Sequence, residues 1–180
     1  MLETCDGMRL QLGRRRFEFI DAPGHARHHH CPVDLDGRDV YAGDNFGICY
    51  REFDTAAGPF MLPTTTPVQF EPDALHRTVD RLLAYHPRRI VQMHFGPVTD
   101  VERLGCDLHA AIDELVAIAR RHAAATDRTQ RIRQDMFDFF SRGLDAHGYG
   151  GDLATRHALI DEDVNLNTQG LEVWLSRQGS

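Results

Sequence analysis

Apolar and polar residues alternate along Met8-Arg9-Leu10-Gln11-Leu12, the period-2 pattern of a half-buried strand. Gly13 to Arg15 make a turn, and Phe17-Glu18-Phe19-Ile20 reads as the return strand. Pro32-Val33-Asp34-Leu35 and Val40-Tyr41-Ala42 flank Asp36-Gly37, which predicts a hairpin whose turn uses the positive φ open to glycine. Between residues 45 and 70 regular structure is discouraged by Gly47, Gly58, Pro59, Pro63, the Thr64-Thr65-Thr66 run and Pro67. A long irregular connection is expected there, and loops of such length inside compact domains serve as lids or binding loops. Pro72 suits a first helical turn, after which Leu75, Val79, Leu82 and Leu83 share one helix face until Pro87 stops it. Ile90-Val91-Gln92-Met93 follows as a short buried strand that ends at His94.

From about Val101 the pattern becomes helical throughout. Leu108, Ile112, Leu115, Val116 and Ala119 mark one amphipathic helix, and Ile132, Met136, Phe137, Phe139 and Phe140 a second, closed by Gly148-Tyr149-Gly150-Gly151. A short third helix is predicted over Leu153 to Ile160. A fourth over Asp161 to Ser176 buries Val164, Leu171, Trp174 and Leu175, with Gly170 weakening it. The chain thus divides by pattern into an α/β region, 1–100, and a small all-α region, 101–180. Trp174 reads as a core anchor, and the helices carry no recognisable chemistry.

Composition narrows the classes. The 180 residues suffice for one good core or two small ones, and 42% apolar with 26% charged residues is ordinary for a soluble globular protein. A formal charge of -7 argues against phosphate-backbone binding, which needs a basic face. No apolar run approaches the roughly 18 residues of a membrane span. Cys5, Cys31, Cys49 and Cys106 form no CxxC pair, so neither a zinc knuckle nor a disulfide framework is indicated, and a reducing cytoplasm is the expected location.

Candidate chemistry lies at three strand ends. Phe19-Ile20-Asp21-Ala22-Pro23-Gly24-His25 runs a strand into a turn that presents His25; Val40-Tyr41-Ala42-Gly43-Asp44 delivers a carboxylate; and Met93-His94-Phe95-Gly96-Pro97 delivers a second histidine. Neutral imidazole and carboxylate are natural ligands of zinc and of iron or manganese, so His25, Asp44 and His94 together suggest a metal site. Read singly, each is as well explained as a capping or core residue.

In this order, these segments resemble the second half of the metallo-β-lactamase fold superfamily of metallohydrolases. There the histidine of a PGH turn, the aspartate of a strand ending in GD and the histidine of a late strand hold a two-metal centre. The resemblance, over roughly residues 8–100, implies that His25 sits on one zinc-type metal, Asp44 bridges both, and His94 sits on the other. His29 matches the supporting histidine of PGHxxxH, and His28 is a further candidate for the shell behind the ligands. It also implies an α/β fold, the second half of an αββα sandwich, followed by the helical region. The family's HxHxDH motif is not in this sequence. The expectation is therefore the carboxyl-terminal part of a metal-dependent hydrolase, acting on an ester, thioester, lactone, amide or phosphoester of unspecified identity and inactive as this chain alone. The alternative is a non-catalytic binding or oligomerisation module. An uncovered apolar sheet face and an open edge are expected, to be met by a second copy or a missing N-terminal half. Phe46, Tyr50, Phe53, Phe60 and Met61 serve equally well as pocket lining or as packing against the helices.

Overall fold

The structure is a computed structural model describing residues 3–65 and 69–178; Thr66 and Pro67 of the predicted irregular connection lie outside the described residues. Six strands form one sheet in chain order: β1 (Met8–Leu12), β2 (Arg15–Asp21), β3 (His30–Asp34), β4 (Asp39–Gly43), β5 (Arg89–Gln92) and β6 (Pro97–Val98). All neighbours are antiparallel except β4 and β5, which run parallel. A parallel pair needs a crossover. Here it comprises the irregular connection and helix α1 (Pro72–Leu83), which has Pro72 in its first turn, where the missing N–H costs nothing.

The β3–β4 hairpin forms as expected, but the positive φ falls on Arg38 (55°) and not on Gly37. Gly37 answers a steric demand: a Cβ there would lie 2.3 Å from Asp34 Oδ2. That carboxylate accepts the backbone N–H groups of Asp36 and Gly37 through its other oxygen, and the turn is closed around it.

Three long helices follow: α2 (Val101–His122), α3 (Arg128–Ala146) and α4 (Leu153–Gln178). The two helices expected after Leu153 are one continuous helix. Gly170 does not break it, because its hydrogen bonds are helical and its missing side chain has a packing use. A Cβ at Gly170 would stand 2.5 Å from Thr65 Oγ1, so the glycine lets the irregular connection lie against the helix. Trp174 is buried as expected, with the Arg120 guanidinium 5.4 Å from its ring centre.

One face of the sheet supplies Ile20, Cys31, Val33, Val40, Ala42 and Ile90 to a core that continues through Leu104, Leu108, Ile112, Met136, Phe140 and Trp174. Each fully buried aliphatic or aromatic side chain in it contributes roughly 1.5–3 kcal/mol. The alternate positions Phe17, Phe19, Pro32, Tyr41 and Val91 stay half-buried and outside that core. The sheet therefore has one packed face and one apolar face partly open to solvent, with β1 and β6 at its edges. Among the described residues no helix is long and apolar enough to cross a membrane.

Candidate metal centre

His25 owes its position to Gly24. The glycine has φ 135°, and a Cβ on it would lie 2.3–2.6 Å from backbone and side-chain atoms of Leu75. The turn can rest directly on the start of α1 only without a side chain at that point. Glu71 N–H donates to the Gly24 carbonyl (2.9 Å) and Thr78 Oγ1 to the Pro23 carbonyl (2.6 Å), so the first two turns of the helix grip the turn.

Asp44 opens a single 3-10 turn, Asp44–Phe46, at the carboxyl end of β4. Gly43, at φ 58°, reverses the chain there, and a Cβ on it would crowd His29 Cε1 at 3.3 Å. The turn is fastened on both sides. Gln92 Nε2 at the end of β5 donates to the Phe46 carbonyl (2.8 Å), and Thr64 Oγ1 donates to the Asp44 carbonyl (2.6 Å).

His94 follows β5 and is about half exposed. Phe95 beside it takes φ 63°, an uncommon conformation for an aromatic residue, and is held there from outside. Arg51 donates to the Phe95 carbonyl (2.9 Å) and the Pro97 carbonyl (2.8 Å), and Tyr50 packs its ring 4.4 Å from that of Phe95.

The structure brings His25, Asp44 and His94 together. Asp44 Oδ2 lies 3.9 Å from His25 Nε2, and Asp44 Oδ1 lies 3.7 Å from His94 Nε2. These gaps are too long for hydrogen bonds. They suit atoms that share a coordination shell at about 2.0–2.2 Å from an ion. His29 also stands in the group: donor atoms of His25, His29 and Asp44 lie within 4.8 Å of one another. The ring centres of His25 and His29 are 5.1 Å apart, and His28 meets His29 edge-on at 5.7 Å.

The donor set fits a metal. Burial is the main cause that pushes the His25 imidazole below its ordinary pKa, and the same holds for His29, so both are neutral near pH 7, as ligands must be. His25 Nδ1 faces the Thr64 carbonyl at 3.3 Å, an acceptor that keeps the proton on Nδ1 and leaves Nε2 bare toward Asp44. Asn45 Nδ2 donates to His29 Nδ1 at 2.9 Å and fixes that ring beside Asp44.

A cleft of about 390 Å³ opens onto His25, Asp44 and His94, lined also by Ile48, Tyr50, Phe95, Asp163 and Asn167. Of the five loop side chains weighed above, Tyr50 alone faces the cleft. Phe46 and Phe53 are fully buried, while Phe60 and Met61 line a separate groove against α3. Three lining residues, Asp163, Leu166 and Asn167, come from α4, which sequence reasoning took to carry no chemistry. Tyr50 Oη donates to Asp163 Oδ2 (2.7 Å), and burial raises the Asp163 carboxyl above its ordinary pKa despite that bond. Asn167 receives Thr65 N–H at 2.7 Å and donates to the Pro63 carbonyl at 3.0 Å, tying the loop to the helix. Asp163 and Asn167 are four apart, one helix face, and that spacing was the only signal for them.

No family model and no curated protein matches the sequence. Solved structures do. A metallo-beta-lactamase family protein of Thermus thermophilus superposes with a TM-score of 0.62 at 17% identity, over 99% of this chain and 50% of the other. An archaeal metallo-beta-lactamase superfamily protein of Sulfolobus tokodaii gives 0.56 at 17% identity, over 95% and 51%. The chain spans about half the length of these proteins. Its mixed six-stranded sheet with four helices has the fold of a partial metallo-β-lactamase-type protein.

Proposed function

We propose that this chain carries part of the metal centre of a metal-dependent hydrolase. The observation that supports it best is the attitude of Asp44, whose two carboxylate oxygens face two different histidines, His25 and His94, at the floor of a cleft. A carboxylate so placed is suited to bridge two sites. His25, His29 and Asp44 offer three donors to one ion, the number that catalytic zinc uses, and Asp44 with His94 offers two to another. Zinc fits this nitrogen and oxygen set, as do iron and manganese.

A bound ion of this kind supplies Lewis acidity and lowers the pKa of water toward neutrality, the chemistry of ester, amide and phosphoester hydrolysis. The chain's own residues do the rest. Thr64 orients His25, and Asn45 orients His29. Tyr50, Ile48, Phe95 and Leu166 give the substrate an apolar wall beside a half-buried carboxyl, that of Asp163. The second ion, with two donors, is the weaker one, and turnover needs donors beyond those of this chain.

The test is metal content of the purified chain beside His25→Ala and Asp44→Ala. Each variant is expected to carry about one ion of zinc, iron or manganese per chain fewer than the parent. Metal retained undiminished in both would overturn the reading. The half-open apolar face of the sheet favours a second reading, self-association through that face. Sedimentation velocity on the metal-free chain checks it: a dimer at micromolar concentration supports it, and a monomer throughout removes it.

A further inference from the structure

A second group of metal-ligating side chains lies on the α1–α2 packing surface and shares no residue with the cleft. His76 and Asp80 are four apart on α1, and His109 and Asp113 are four apart on α2, so each helix presents a histidine and a carboxylate on one face. The pairs cross between helices. His76 Nε2 lies 3.1 Å from Asp113 Oδ1, and His109 Nε2 lies 3.1 Å from Asp80 Oδ1. The two Nδ1 atoms face each other at 2.6 Å, with the ring planes 7° apart and the ring centres separated by 4.9 Å. That separation leaves both Nδ1 atoms on the line joining the centres. The rings therefore meet edge to edge, with in-plane lone pairs aimed at one another.

The carboxylates decide the proton positions. Each favours an N–H at the Nε2 it faces, because a bare ring nitrogen against a carboxylate oxygen is repulsive. With both Nε2 atoms protonated, both Nδ1 atoms are bare and opposed, an arrangement that only a cation between them stabilises. We propose that His76 and His109 bind a borderline divalent transition ion, zinc foremost, through their Nδ1 atoms. Asp113 and Asp80 act as the carboxylate partners of the ligand imidazoles, the usual support for a metal-bound histidine. Their two charges offset that of the ion. Metal–nitrogen distances of about 2.0–2.1 Å in a tetrahedral shell require the nitrogens to part by less than about 1 Å and each ring to swing by about 35°, so that the lone pairs converge on the ion. Both rings are about one-quarter exposed, so the ion reaches them from solvent and completes its shell with water. Imidazole pairs of this type follow the order in which copper and nickel also bind well. The rival occupant of the gap is a single shared proton.

The test is isothermal titration of the full-length, metal-stripped chain with zinc sulfate at pH 7.5, beside His76→Gln and His109→Gln. Each glutamine variant is expected to bind one ion fewer per chain, and Asp80→Asn and Asp113→Asn to weaken that same ion about 10- to 100-fold. Both aspartates are more than two-thirds exposed, so their replacement leaves the fold intact. Unchanged stoichiometry in both glutamine variants would overturn the proposal and assign the gap to the proton. Long-range ¹H–¹⁵N spectra of the unmodified chain give an independent answer. Zinc displaces the Nδ1 resonances of His76 and His109 if the proposal holds, and leaves them in place if it fails.

Discussion

Gly24→Ala puts the placement of the metal centre to a direct trial. The position has φ 135°, well beyond the left-handed well near +57° that non-glycine residues occasionally use. An added methyl would also stand 2.3 Å from Leu75 Cα and 2.4 Å from Leu75 N, which are helix backbone and cannot rotate away. Backbone strain of about 1–3 kcal/mol and overpacking of about 1–3 kcal/mol combine to roughly 3–5 kcal/mol. For a chain of this size that lowers Tm by about 6–20 °C. Gly13→Ala is the matched control, since Gly13 also has positive φ (61°) but nothing within 4 Å of its would-be Cβ. It should cost only the left-handed penalty, about 1–2 kcal/mol. Thermal unfolding followed by circular dichroism, with zinc retention measured on the same samples, reads both effects. Gly24→Ala should lose about 1.5 to 5 times the Tm that Gly13→Ala loses, and should also lose zinc from the cleft, because His25 is displaced with the turn. Equal losses of Tm in the two variants would refute the close approach to α1 as the reason for the glycine.

Tyr50→Phe removes the phenol that donates to Asp163, so the carboxyl, already raised mainly by burial, should titrate higher still; carboxyl ¹³C NMR that shows no change or a fall contradicts this. Asp39 accepts two bonds from Arg89 (2.8 and 2.7 Å), with Arg88 at 3.6 Å; the Arg89 bonds are the chief reason its carboxyl sits below the ordinary range. The stability this gives is full above about pH 3.9, the unfolded value, and is lost as pH falls through the lower folded value. The unfolding free energies of the parent and of Asp39→Asn should therefore differ constantly between pH 6 and 8 and converge below about pH 4, and a gap that persists in acid would count against the pairing. Burial pushes the Cys31 thiol up to about 12 and the Cys49 thiol up to about 11, while Cys5 and Cys106 are exposed. A thiol reagent at pH 8 should modify two cysteines in the folded chain and four in denaturant; four in the folded chain would show that the core near β3 is open.

Local pattern carried much of the fold. Strand alternation at Met8–Leu12, the proline at the start of α1 and the apolar stripe of Leu75, Val79 and Leu82 all have physical causes within a few residues, so they were legible. What escaped depends on contacts distant in sequence. Gly170 looks like a helix breaker until Thr65 is placed against it, about a hundred residues away along the chain. Gly37 looks like a positive-φ residue until the Asp34 carboxylate is seen beneath it, and the strain passes to Arg38. The three strand-end residues converge because the sheet order places β4 beside β5, a pairing that periodicity alone does not specify. His29 enters the group of donors, and not only the shell behind it, because the chain from Ala26 to His30 turns back and its ring comes to lie beside Asn45 and Gly43. Asp163 was invisible because an acidic residue on an amphipathic helix ordinarily faces water, and nothing nearby in sequence marks the one that does not.

The bonds from Asn167 to Thr65 and Pro63 join residues 102 and 104 positions apart. A contact of that span forms late, because the entropy of closing so large a loop must be met before the contact yields anything. Peeling back the last helix would remove Asp163, Leu166 and Asn167 from the cleft together and leave the strand-end histidines on the sheet.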